Sequence, residues 1–141
     1  MTTEINLDPI RAIADRVEIV GDAILIQADC AAVLPLLPKV DAVVTDPPYG
    51  IGALMKRTPS ANSSWAHSDA FDWDLESPQW AADWIVSQEV PSVIWGGNYF
   101  TLPISRGWLF WDKIVREFTT GHCELAWTNF NQPIRGFNWG A

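Results

Sequence analysis

Two short runs rich in β-branched residues, at positions 17–20 and 23–27, flank Gly21-Asp22, a turn signal that predicts a β-hairpin. Residues 30–37 are apolar on all sides and close at Pro38, as a short packed helix would. Residues 41–45 form a continuous β-branched stretch bounded by turn residues, the pattern of a fully buried strand. After Ser77-Pro78 the apolar positions of residues 80–90 recur at helical spacing, so serine is expected at the N-cap and proline at the first helical position. Residues 92–95 read as another buried strand, closed by Gly96-Gly97, and residues 107–111 and 124–128 as two more. Strands interleaved with helices predict an α/β protein with a mostly parallel sheet, and the short connections between the later strands make one end of it partly antiparallel. Residues 53–76, rich in Ser, Ala, Asn and Asp, form a long loop of the kind that carries function.

Composition narrows this picture. A chain of 141 residues, 48% apolar and with nine tryptophans, forms one domain with a core and excludes a disordered segment. The net charge of -8 repels polyanions, so any contact with nucleic acid has to come from a local cluster among the nine Lys and Arg residues. The opening M-T-T-E-I-N-L-D-P has neither a basic nor an apolar leader region, and Pro35, Pro38, Gly96 and Gly97 interrupt the most apolar runs, so a soluble, cytoplasmic protein is expected. Cys30 and Cys123 lie far apart and read as small buried thiols rather than a bridge.

The candidate chemistry sits in T-D-P-P-Y-G-I-G, residues 45–52, at the carboxyl end of a predicted strand. Ligands of open α/β sheets bind at that end. Two consecutive prolines fix two φ angles and add carbonyls without competing N–H donors, so Asp46, Pro47 and Pro48 present a rigid row of acceptors. Such a row suits an amino group, and Tyr49 beside it offers a flat face for a planar ring. A plain strand-ending turn with Asp46 as its cap explains the four residues equally well by themselves. Gly50-Ile51-Gly52 lacks the third glycine of a dinucleotide fingerprint, and Cys30, His67, His122 and Cys123 have no metal-ligand spacing, so no metal is expected. Lys56-Arg57 either meets phosphates or is a solvated basic pair. Trp95, Trp108, Trp111 and Trp127 are read as core residues, whereas Trp65 and Trp73 in the loop are not.

D-P-P-Y after an apolar strand resembles the catalytic motif of DNA methyltransferases that modify adenine N6 or cytosine N4. I-L-I-Q-A-D-C-A-A-V-L-P-L-L-P, W-G-G-N-Y-F, R-G-W-L-F-W-D-K and C-E-L-A-W-T-N are similar to further segments of the permuted β class, in which the catalytic half comes first. The resemblance covers about residues 16–131 and implies a Rossmann-like sheet, a base flipped out of double-stranded DNA, and methyl transfer from S-adenosylmethionine. It implies that Asp46 and Pro47, within the rigid turn that Pro48 completes, accept hydrogen bonds from the amine and that Tyr49 stacks on the ring. Asp29, Cys30 and Asp46 would lie near the cofactor, although Asp29 also reads as the N-cap of the following helix. Lys56 and Arg57 would meet the DNA backbone. Aspartate in the first motif position favours adenine over cytosine. The family's H-P-T-Q-K-P-like segment and glycine-rich cofactor loop do not occur in the chain, so the implied sheet is incomplete and cofactor binding is expected to be weak or absent. The expectation is therefore a truncated or split adenine-N6 enzyme, whose open edge a homodimer would cover but whose missing motifs only a complementary half would supply. An inactive remnant that serves as a binding module, and a cytosine-N4 enzyme, are the alternatives.

Overall fold

In the first part of the chain, Gly21 turns the backbone at φ +58 and joins β1 (Arg16–Val20) to β2 (Ala23–Gln27), with Val20 opposite Ala23. The computed structural model describes residues 5–52, 72–114 and 121–139. The chain divides into two compact units, Met1–Val40 and Asp41–Ala141. The first unit holds α1 (Asp8–Arg11), the predicted hairpin and α2 (Cys30–Val33). The helix expected over residues 30–37 changes to a 3-10 turn, Leu34–Leu36, at Pro35. Proline has no N–H for the helical ladder, and Val33 is the buried residue of the segment, so the run is not packed on all sides.

The second unit is built on a five-stranded sheet. Its strands in chain order are β3 (Val43–Thr45), β4 (Ser92–Trp95), β5 (Trp108–Asp112), β6 (Cys123–Thr128) and β7 (Arg135–Asn138), and their spatial order is β3-β4-β6-β5-β7. β3 with β4 and β5 with β7 are parallel pairs, whereas β6 runs antiparallel to both neighbours. The sheet is thus mixed rather than mostly parallel, because the short connection after β5 turns β6 back between β4 and β5. β7 was not predicted: all four of its residues are exposed, so no burial pattern marks it.

Between β3 and β4 runs α3 (Gln79–Ser87). Pro78 rather than Ser77 occupies its cap, and the Gln79 amide ties the first turn to Asp83 and to both backbone groups of Thr101. The helix stops short of Val90, and Glu89 follows in the left-handed region at φ 54. Ile85 of α3 packs on Ile94 and Trp127, with Val43, Trp84 and Trp108 around them. β3 departs from the fully buried strand expected. It ends the sheet, so Val43 joins this core while Val44 points to the other face and is 72% exposed. β2, which precedes Asp29, belongs to the two-stranded sheet of the first unit, and β3, which precedes Asp46, to the five-stranded sheet of the second. Among the described residues no helix is long and apolar enough to cross a membrane.

Candidate functional site

Strand alternation and register assemble an aromatic stripe on the sheet face opposite α3. Trp111 of β5 lies level with Glu124 of β6 and Phe137 of β7, while Trp95 of β4 lies level with Ala126, two residues from Glu124. Residues directly opposite, or two apart on one strand, share a face. Asp46 follows β3 immediately, and since Thr45 pairs with Ile94, Asp46 comes level with Trp95. The stripe bounds a cavity of about 310 Å³ lined by Asp46, Trp95, Trp111, Glu124, Phe137 and Trp139. Trp95 meets Trp111 edge to face at 6.3 Å and Phe137 at 6.2 Å, and the Trp111 indole N–H donates to the Trp139 carbonyl at 3.1 Å. Trp127 is a core residue and Trp108 packs against the core as predicted, but Trp95 and Trp111 are half-exposed cavity walls.

Asp46 is exposed, Pro47, Pro48 and Tyr49 are half-buried, and the Tyr49 hydroxyl donates to Asp46 Oδ1. Burial, and then the hydrogen bond to Asp46, push the Tyr49 phenol far above its ordinary range, so it remains a donor at any physiological pH. Its ring stacks on Tyr99, with centroids 5.0 Å apart and planes 13° from parallel. One face of Tyr49, expected to carry a base, is therefore taken by Tyr99 here. Behind the ring, Gly96 sits at φ +63, and a Cβ there would overlap Tyr49. Asp74, 5% exposed, anchors the turn by accepting the Gly50 N–H at 2.7 Å.

A second cavity of about 330 Å³ includes Tyr49, Tyr99, Trp73, Asp74 and Glu124. Trp73 of the long loop thus has a place at the site. Glu124 stands on both cavities and pairs with Lys113, which is 8% exposed and reaches to 5.6 Å from the centre of the Trp111 ring. Neither Glu124 nor Lys113 was singled out from the sequence, though both occur in strings that carry the family resemblance. Alternation around Ala126 could have placed Glu124 on the Trp95 face; its register with Trp111 could not be read from spacing.

Other expected site residues fall elsewhere. Lys56, Arg57, Trp65 and His67 lie outside the described residues. Cys30 and Cys123 are free and exposed rather than buried, since each stands at the first position of an element, outside the packed interior. Among the described residues no group of three His, Cys, Asp or Glu side chains is placed to hold a metal ion. Asp29 caps α2, its Oδ1 accepting the Ala31 N–H at 2.9 Å. Asp29 and Cys30 are exposed and belong to the first unit. Calorimetric titration of the chain with S-adenosylmethionine is expected to give an affinity no tighter than millimolar, about 4 kcal/mol; micromolar binding would show that these residues do close around the ligand. Compared with protein-family models, curated proteins and solved structures, the chain matches none.

Proposed function

We propose that this chain is the base-binding half of a DNA amino-methyltransferase of the adenine-N6 class, holding a flipped-out adenine by its exocyclic amine. One observation carries the reading: Asp46 stands one residue beyond a parallel strand, is oriented by the Tyr49 hydroxyl, and opens on an aromatic-walled cavity. Tyr49 occupies Oδ1, and among the described residues Oδ2 remains for an incoming donor. An amine N–H donates to Oδ2 while Trp95 and Trp111 cover the ring; the Pro47 carbonyl, the second acceptor that the family resemblance implies, does not line this cavity. Held on the carboxylate, the nitrogen lone pair is drawn out of conjugation with the ring and made available. β3, α3 and β4 form the β-α-β portion of the Rossmann-like sheet in this assignment, with Asp46 at the carboxyl edge where such sheets bind ligands.

The segments that by resemblance hold the family's methyl donor, S-adenosylmethionine, do not occur in this sequence, so the work assigned to its own residues is recognition and polarisation of the amine. The exposed Asp29 and Cys30 favour, as the second reading, a module that binds the base without transferring a methyl group. The net charge of -8 leaves the hold on the duplex to a local basic cluster, for which Lys56 and Arg57 are the candidates.

The test is base binding. Trp95, Trp111 and Trp139 wall the cavity, so their fluorescence reports its occupancy. Adenosine is expected to bind at least about tenfold more tightly than purine riboside, which has no amine, because a hydrogen bond to a charged acceptor contributes about 1.5 to 3 kcal/mol. Cytidine as a third ligand separates the N6 from the N4 class. Equal affinity for adenosine and purine riboside would reject the assignment; adenosine selectivity without methylation of duplex DNA in the presence of S-adenosylmethionine would favour the binding module.

A further inference from the structure

The cavity that Asp46 opens onto carries a second carboxylate. Glu124 lies on the same sheet face as Trp95, level with Trp111, and lines this cavity together with Asp46. Its partner, Lys113, is one of the buried charged residues among those described and pairs with Glu124 from just beyond the end of β5. A carboxylate has several lone pairs, so one ammonium partner leaves acceptor capacity for a further donor. An exocyclic primary amine carries two N–H groups. Asp46 serves one; the Pro47 carbonyl does not line this cavity, so the other needs a different acceptor wherever the cavity excludes water, since an unpaired polar group there is destabilising.

We infer that Glu124 is a second amine acceptor in the Asp46 cavity and makes the site selective for a primary aromatic amine over the same amine bearing one methyl group. This rests on the base-binding reading proposed above and adds what that reading leaves open, the discrimination between unmodified and modified base. N-methylation replaces one N–H by a methyl group. The methylated base can then satisfy Asp46 or Glu124 but not both, and sets an apolar group against the carboxylate that loses its donor. The consequence is a site that takes up the unmodified base and releases the modified one.

The experiment uses the intact chain, tryptophan fluorescence, and three ligands: adenosine, N6-methyladenosine and purine riboside. Adenosine is expected to bind about tenfold more tightly than N6-methyladenosine, the fold-change of one hydrogen bond to a charged acceptor. Glu124→Gln should bring those two within about threefold of each other while adenosine still binds more tightly than purine riboside, because Asp46 is untouched. Lys113→Met removes the ion pair but leaves the carboxylate, and should keep the preference for adenosine over N6-methyladenosine; a role confined to holding Lys113 predicts its loss. Equal binding of adenosine and N6-methyladenosine by the native chain, retention of the preference in Glu124→Gln, or its loss in Lys113→Met would overturn the inference. In each case a persisting preference for adenosine over purine riboside leaves the base-binding reading standing. Equal binding of all three ligands, or of none, rejects both.

Discussion

Replacing Gly96 by alanine is expected to destabilise the protein by about 2 to 5 kcal/mol and to abolish adenosine binding. Two effects combine at this position. A left-handed residue with a Cβ is strained by about 1 to 2 kcal/mol, and Gly96 sits at φ +63. The added methyl group also overlaps the Tyr49 ring, and overpacking of this kind costs about 1 to 3 kcal/mol. The ring has little room to yield, because Tyr99 stacks on it and its hydroxyl is bound to Asp46. Displacing it therefore releases the carboxylate that the amine must find. Gly21→Ala is the internal control: φ there is +58, but no atom lies within 4 Å of the added Cβ, so only the strain remains. Urea unfolding of the two variants separates the effects. A Gly96→Ala variant no less stable than Gly21→Ala would show that Tyr49 does not depend on this close approach.

Asp46→Asn is expected to lower adenosine affinity about ten- to hundredfold, with little change in unfolding midpoint. The amide matches the carboxylate in size but has one acceptor oxygen in place of two. With that oxygen on the Tyr49 hydroxyl, the amide N–H groups face the N–H groups of the base. Turned round, the amide still lacks the charge, and hydrogen bonds to a charged acceptor are worth about 1.5 to 3 kcal/mol. In any complete enzyme that contains these residues, the loss in transfer rate would be larger, since the contact strengthens as the nitrogen becomes positive. An Asp46→Asn variant that binds adenosine as tightly as the native chain would remove Asp46 from the site.

Much of the fold could be read from residue pattern, and the exceptions have physical causes. The hairpin, β4, β5 and β6 were evident because Gly21-Asp22 and Gly96-Gly97 punctuate β-branched and aromatic runs. β3 reads as a buried strand because a continuous apolar run looks the same whether one face or both are covered; only the strand order shows that Val44 lies at the end of the sheet. β7 contains an arginine, a glycine and an asparagine around Phe137, and its place depends on pairing with β5. At the site, Asp46 and Tyr49 were legible because consecutive prolines leave the chain few conformations. Glu124 and Phe137 were not, because what brings them to Asp46 is cross-strand register, which no spacing along the chain encodes.

The position of β3 gives Asp46 another consequence. The strand has no neighbour on its outer side among the described residues, and an open edge with an exposed valine is a template on which further chains can add as strands. The edge is only three residues long, and exposed Asp41 and Asp46 stand on either side of it. Acidic residues placed so act as gatekeepers, since stacking successive copies in register would bring their charges together. The carboxylate proposed as an amine acceptor is thus also placed to oppose growth of the sheet, and neutralising it is expected to remove a barrier to fibrillar self-association along with an acceptor.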